Sequence, residues 1–286
     1  MLPGRSAAAL RYRAQRQKLQ LRAFRSVPQA AGPAAIPRVA AGTVWTPLGP
    51  APLASDATGL GVQDYGPVAG RVTAVAVDPA DGTGNTVYIG GAYGGVWKST
   101  NAGALSPDTS SVTWTPITDD QATLAVGSIA IQPQLTSPDA RRSVVLAGTG
   151  ETNSSADSYY GLGILRSADA GGTWTSISQD STGTRSFAGL GFSQIAFSTV
   201  NPSVVVAAAA GATQGVIEGL EDPVTANRGL YYSNDGGLSW NYATVKDAGL
   251  IIDPSSATSV VYNATSGQFF AAIQWHGIYS STDGAT

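Results

Sequence analysis

The chain has no cysteine, one histidine and one methionine among 286 residues. Without cysteine there are no disulfides and no thiolate metal ligands. The single histidine, His276, cannot assemble a zinc site without carboxylate help. A cysteine-free chain fits a bacterial protein of any compartment and disfavours an animal extracellular domain, where disulfides are usual. Charged residues make up only 12%, too few for a highly charged disordered chain or a solvated coiled coil. No run is long and apolar enough to span a bilayer as a helix. The sequence also lacks a Gly-x-Ser-x-Gly elbow, a P-loop and a dinucleotide fingerprint.

What charge there is falls unevenly. Residues 1–38 carry eight of the sixteen Lys/Arg and no acid, while residues 39–286 carry the other eight against all nineteen Asp/Glu, a net −11. An acidic body argues against nucleic acid as a ligand. The basic head is either a surface-binding helix or a solvated leader ahead of the Ala/Pro/Gly-rich linker at 28–42. It lacks the apolar run of a signal peptide. The expected division is a leader and linker over 1–42 and a folded body over 43–286.

The body repeats. Each unit has strand-like runs, a turn motif and a run that starts at tryptophan. The first unit has VTAVAVDP at 72–79, TVYIG at 86–90 and GGVWKS at 94–99. The second has GSIAIQP at 127–133, SVVLAG at 143–148 and GILRS at 163–167. The third has FSQIAF at 192–197, NPSVVVA at 201–207 and GLYYS at 229–233. The fourth is expected to have LIIDP at 250–254, SVVY at 259–262 and GIYSS at 277–281. The turn motif follows: SADAGGTW from Ser167 through Asp169 and Gly171 to Trp174, and SNDGGLSW from Ser233 through Asp235 and Gly237 to Trp240. A degenerate copy runs from Ser99 through Asn101, with its tryptophan displaced to Trp114, and a fourth begins at Ser281 with Asp283. The copies start 68, 66 and 48 residues apart. An Asp followed by glycines suits a tight turn, since the carboxylate accepts turn N–H groups and glycine supplies positive φ. These residues are therefore expected to be structural, with the tryptophan packing on the sheet.

Four short strands per fixed period predict an all-β fold, a β-propeller of four-stranded antiparallel blades with about four blades present. The run VWTPL at 44–48 resembles TWTPI at 113–117 and TWTSI at 173–177, yet no blade precedes it. The expectation is that 43–286 forms part of a larger propeller.

The turn motif resembles the Asp-box, or bacterial neuraminidase repeat. The runs GRVTAVAVDP at 70–79, GGAYGGVWKST at 90–100, AGTGET at 147–152 and YGLGILRS at 160–167 resemble bacterial sortilin-like or glycosyl-hydrolase-like Asp-box propellers, and more distantly sialidases and xyloglucanases. The resemblance implies a secreted, periplasmic or cell-surface bacterial protein with its boxes on the outer rim. It does not carry over a reaction. A sialidase arginine cluster would have to come from Arg71, Arg141, Arg142, Arg166, Arg185 and Arg228, and no sialidase Arg-Ile-Pro signature accompanies them. The xyloglucanase acid or base expected in a Thr-Asp-Val-Gly-Gly segment falls on Ala92.

The catalytic residues are left unassigned. Loops after the second strands tend to face one mouth, and they carry Tyr93, Glu151, Asn153, Asp157, Tyr159 and Tyr160, with Glu218, Glu221 and Asp222 in a long 211–228 insertion. Tyrosines with carboxylates suit sugars, through ring stacking and hydroxyl bonds. Glu151 is the leading ligand candidate, joined by Tyr93, Tyr159, Tyr160, Asn153, Asp157 and Arg71. Glu151, Asn153 and Asp157 also form a candidate Ca²⁺ set of hard oxygens without an EF-hand pattern; no other metal or cofactor is indicated. The pair Trp275-His276 is expected to pack within its blade. The resulting expectation is a propeller that binds carbohydrate or an extracellular protein without catalysis in this segment. The alternatives are a glycoside hydrolase, sialidase-like or xyloglucanase-like, and a structural repeat of a larger surface protein.

Overall fold

The computed structural model describes Leu48 and residues 53–54, 67–68, 70–103, 112–153, 158–212 and 225–286. The described residues all fall within one compact unit, Pro47–Thr286. The basic leader lies outside the described residues, as do Asp157, Glu218, Glu221 and Asp222. No helix among the described residues is long and apolar enough to cross a membrane.

The second unit is built of small antiparallel sheets. A short pair, β1 (Leu53–Ala54) and β2 (Pro67–Val68), precedes them. Blade 1 is β3 (Val72–Val77), β4 (Val87–Gly91), β5 (Val96–Ser99) and β6 (Thr115–Pro116). Blade 2 is β7 (Val126–Ile131), β8 (Val145–Thr149), β9 (Ile164–Ser167) and β10 (Thr175–Ile177). Blade 3 is β11 (Leu190–Phe197), β12 (Val205–Gly211), β13 (Gly229–Ser233) and β14 (Asn241–Tyr242). A hairpin of β15 (Lys246–Asp247) and β16 (Leu250–Ile251) leads to the three-stranded blade 4, β17 (Ala257–Asn263), β18 (Gln268–Ile273) and β19 (Gly277–Ser281). Strands pair in sequence order within each blade, as in a propeller. The first strands β3, β7, β11 and β17 lie side by side in that order and line the inside.

Blade 4 departs from the sequence reading by one strand. LIIDP was expected as its first strand and SVVY as its second, but Leu250–Ile251 pairs with Lys246–Asp247 in the separate hairpin, and 259–262 lies within the first strand, β17. The cause is a tight turn. Asn263 accepts from the Gly267 amide through its carbonyl at 2.9 Å and from the Thr265 amide through Oδ1 at 2.9 Å, with Gly267 at φ 66°. This returns Gln268–Ile273 as the second strand. Asp253-Pro254 mimics the Asp78-Pro79 that ends β3, which misplaces the repeat.

The turn motifs fold alike. The serine hydroxyl donates to the acid or amide two residues on: Ser99 to Asn101 at 3.0 Å, Ser167 to Asp169 at 2.7 Å, Ser233 to Asp235 at 2.6 Å and Ser281 to Asp283 at 2.9 Å. It also accepts from a following glycine amide, Gly171 at 2.8 Å, Gly237 at 2.9 Å and Gly284 at 2.8 Å. The carboxylate or amide oxygen then takes an N–H from the far side of the turn, from Thr113 at 3.0 Å, Thr173 at 2.8 Å, Ser239 at 3.0 Å and Thr286 at 3.1 Å. Each motif lies between the third and fourth strand positions, on the side of the blade away from the inner strands.

These turns also join the blades. Gly171 sits at φ 89° and a Cβ there would meet Ile117 at 2.6 Å; Gly237 sits at φ 84° and would meet Leu146 at 2.9 Å. Both contacts are with the preceding blade. The carbonyl of Ala170 accepts from Tyr88 at 3.0 Å and from Lys98 at 2.8 Å, and that of Gly236 accepts from Arg166 at 3.1 Å. Trp174 donates its indole N–H to Ile117 at 2.7 Å. Among the described residues the hydrophobic core is accordingly three clusters, one per junction. Tyr88, Val96 and Val126 centre the first, Leu146, Ile164, Phe192 and Trp240 the second, and Val206, Leu230, Val260 and Phe269 the third.

Candidate functional site

The inner strands share one irregularity. In all four, pairing with the second strand slips by one residue near the start, between Val72 and Ala74, Val126 and Ser128, Phe192 and Gln194, and Ala257 and Ser259. The extra residues are Thr73, Gly127, Ser193 and Thr258. Bulges at such sites re-aim side chains, and here all four residues line one pocket of about 350 Å³ together with Arg71, Val72, Glu151, Thr152 and Asn153. Gly127 is the tightest of them, since a Cβ there would lie 2.5 Å from the Phe192 carbonyl oxygen. A side chain at that position would clash with the Gly150 carbonyl of its own blade as well as with blade 3.

Two of the bulge hydroxyls tie blade to blade. Thr73 Oγ1 donates to Gly90 O at 3.0 Å or to Val126 O at 2.5 Å. Ser193 Oγ is likewise shared between Ala208 O at 3.2 Å and Ala257 O at 3.1 Å. Their lone pairs remain available as acceptors.

Glu151 is the charged group at the pocket floor, with only 1% of its surface exposed. It follows Gly150, whose φ of 82° turns the chain inward after β8. Its amide donates to Tyr159 O at 2.8 Å, closing the β8–β9 loop. Its Oε2 pairs with Arg71 Nη2 at 2.5 Å, from blade 1, and its Oε1 accepts from Asn153 Nδ2 at 2.6 Å. A buried carboxylate requires partners of this kind. Arg71 is half exposed, so its guanidinium reaches from the carboxylate toward the opening.

The sequence candidates therefore separate into groups. Arg71, Glu151 and Asn153 come together in the pocket. Tyr93 and Tyr159 stack on each other across blades 1 and 2, with centroids 4.0 Å apart and planes at 20°, and the Glu151–Tyr159 bond sets this pair beside the pocket. Tyr160 is half buried and does not line it. Asp157 is outside the described residues. Of the candidate Ca²⁺ set, Glu151 and Asn153 are bonded to each other, Glu151 Oε1 accepting from Asn153 Nδ2, and Glu151 Oε2 faces the Arg71 guanidinium. Of the six body arginines, Arg71 alone lines the pocket. Arg141 pairs with Asp139 at 3.0 Å, Arg166 crosses to the blade 3 turn and Arg185 lies 3.8 Å over the Tyr242 ring. Ala92 is packed beneath Arg71, its amide donating to the Arg71 carbonyl at 2.9 Å.

Several site residues are not singled out by the sequence pattern. Thr73, Gly127, Ser193 and Thr258 carried a signal, a small residue at one register position of every unit, but a bulge is invisible until the strand pairs. Trp275 was expected to pack within its blade, yet it is 89% exposed at φ 69°. With blade 4 in its correct register, Trp275 tips the loop after a second strand, the same connection that carries Tyr93 and Tyr159 in blades 1 and 2.

The carboxylates of the turn motifs are held in their charged form by their own turns. Asp169 is held down to about 2 by the Ser167 hydroxyl, the Thr173 amide and the Thr173 hydroxyl. For Asp235, burial pushes the carboxyl up, but hydrogen bonds from Ser233 and Ser239 outweigh it and the net shift is down.

No family model and no curated protein sequence matches the chain. Among solved structures it is similar to an ancestral GH74 enzyme, with 22% identity and a TM-score of 0.54 over 85% of this chain and 25% of that one. It is also similar to a GH74 enzyme from Niastella koreensis, at 18% identity, a TM-score of 0.46 and 75% and 30% coverage, and to a GH74 xyloglucanase from Xanthomonas campestris, at 18%, 0.43 and 76% and 29%. The chain thus spans about a quarter of the first structure's length. At this identity the likeness shows a β-propeller fold.

Proposed function

We propose that the mouth around Arg71 and Glu151 binds a carbohydrate, and that the chain is a secreted or cell-surface bacterial propeller of the Asp-box kind. The turn geometry and the spacing of its copies support the second part; the pocket supports the first. One observation carries the carbohydrate reading: a buried, doubly bonded carboxylate and a half-exposed guanidinium share a pocket with a ring of hydroxyls, and a tyrosine stack, Tyr93 exposed over a half-buried Tyr159, stands beside it. Sugars offer hydroxyls to such donors and acceptors, and C–H faces to aromatic rings. The GH74 likeness agrees with this ligand class without identifying a ligand.

Binding is favoured over hydrolysis by these residues. Glycoside hydrolysis commonly needs two carboxyl groups about 5–10 Å apart. Among the described lining residues Glu151 is the one carboxylate, and it is committed to an ion pair. Ala92 stands where the xyloglucanase resemblance would place an acidic residue. The test is a glycan array followed by calorimetry with β-glucan oligosaccharides and sialosides, with release of reducing sugar followed in parallel. Saturable binding without release, abolished by Glu151→Gln, supports the reading. Release of sugar by the chain, or binding unchanged in Glu151→Gln, overturns it.

A further inference from the structure

Two hydroxyls of the mouth are held alike in separate blades. Thr73 Oγ1 lies between Gly90 O of its own blade, at 3.0 Å, and Val126 O of the next, at 2.5 Å. Ser193 Oγ lies between Ala208 O of its own blade, at 3.2 Å, and Ala257 O of the next, at 3.1 Å. Val126 and Ala257 each stand one residue before the next blade's bulge residue, so the arrangement belongs to the bulge. A third hydroxyl, Thr258 Oγ1, lies 3.4 Å from Ala272 O. A hydroxyl has one proton to give, and in each of these a backbone carbonyl takes it. Toward a ligand these groups present lone pairs.

The donors stand elsewhere in the pocket. Arg71 and the Asn153 amide are both bonded to Glu151 and come from blades 1 and 2, with the Thr152 hydroxyl beside them. Ser193 and Thr258 come from blades 3 and 4. The pocket therefore has a donor end and an acceptor end. Arg71 and Glu151 are the charged groups among its described lining residues, and their charges cancel. The surrounding body, residues 39–286, is net −11.

The classes of sugar meet these two ends differently. A carboxylate has no proton for the acceptor end. At the donor end it would have to draw Arg71 away from Glu151, leaving a buried acid unpaired. A sugar hydroxyl can give one proton to the acceptor end. A protonated amine gives three and accepts none, its charge strengthens each bond, and an acidic body attracts it.

We infer that the mouth selects an amino sugar, a hexosamine whose free amine donates to Ser193 and Thr258 while its neighbouring hydroxyl oxygens accept from the Arg71 and Asn153 end. This rests on the carbohydrate reading of the mouth and names the sugar class within it.

The experiment is calorimetry of the full chain with β-linked tetrasaccharides of glucosamine, N-acetylglucosamine and glucose. The glucosamine tetramer should bind about tenfold or more tighter than the glucose one. N-acetylation, which removes the charge, should abolish that preference, as should raising the pH through the amine's titration. Ser193→Ala should abolish it too, with the melting temperature followed because the same hydroxyl joins two blades. Ser193→Thr should restore it, since threonine fills the same bulge position in blades 1 and 4. Equal affinity for the tetramers would overturn the inference and leave the carbohydrate reading standing, whereas no binding of any would overturn both. A preference for glucosamine that persists unchanged in a folded Ser193→Ala would reflect general attraction of a polycation to the acidic body, and would overturn the inference as well.

Discussion

Asp169 and Glu151 are both carboxylates at strand ends of blade 2, satisfied in opposite ways. Asp169 takes its partners from its own turn, between Ser167 and Thr173. Glu151 takes Arg71, eighty residues away in another blade, and Asn153 beside it. The rim acid is exposed and closes a loop of one sheet; the mouth acid is buried and holds two sheets to one pocket. Local satisfaction makes a repeatable building part. Satisfaction across blades makes a singular site, because no other described blade has an acid at that position.

The largest effect expected from breaking this contrast lies at the rim glycines. Gly237→Val places a branched side chain at φ 84° against Leu146, and should destabilise by about 3 kcal/mol through backbone strain and overpacking, measured by denaturant unfolding. Gly249 has a nearly identical φ of 85° with open space around it, so Gly249→Ala isolates the backbone contribution at about 1 kcal/mol. If the two substitutions cost the same, blade contact is not what the rim glycines serve.

Next is the mouth. Glu151→Ala removes the partner of Arg71 and Asn153, and should cost about 2 kcal/mol of stability while abolishing ligand binding. Arg71→Ala leaves a buried carboxylate without its cation and should cost at least as much. Smaller again is Asp169→Ala, at about 1 kcal/mol for hydrogen bonds lost at an exposed turn, with binding unchanged. Asp169→Asn should cost less still, since Asn101 accepts the same Thr113 amide in the blade 1 copy.

The smallest effect is a pH dependence. The folded carboxyl of Asp169 lies at about 2, below the unfolded value of about 4. Its contribution is present above the unfolded value and is lost as pH falls from about 4 toward 2. Asp169→Asn should flatten that part of the stability profile. A profile identical to the parent's would place the acid sensitivity in other groups.

The same contrast explains what the sequence revealed. The motif copies and the strand runs of blades 1 to 3 were legible because their bonds are local: Ser167, Asp169 and Thr173 lie within seven residues, and the glycines announce their turns. Arg71, Glu151 and Asn153 were legible as separate candidates through their places in the repeat, but their union was not, since it depends on how blade 2 sits against blade 1. The bulge residues Thr73, Gly127, Ser193 and Thr258 escaped because a slip in pairing leaves no mark on a single strand. Blade 4 was misregistered by the resemblance of Asp253-Pro254 to Asp78-Pro79, and that slip also hid Trp275 in a position expected to be packed.

On the function proposed above, the mouth carboxylate serves a ligand while the turn-motif carboxylates serve the fold. The most direct measurement is oligosaccharide binding by calorimetry for Glu151→Gln and Asp169→Asn side by side, each with its melting temperature. The predicted result is binding lost in Glu151→Gln although the protein stays folded, and binding kept in Asp169→Asn. Parent-like affinity in a folded Glu151→Gln would contradict the account.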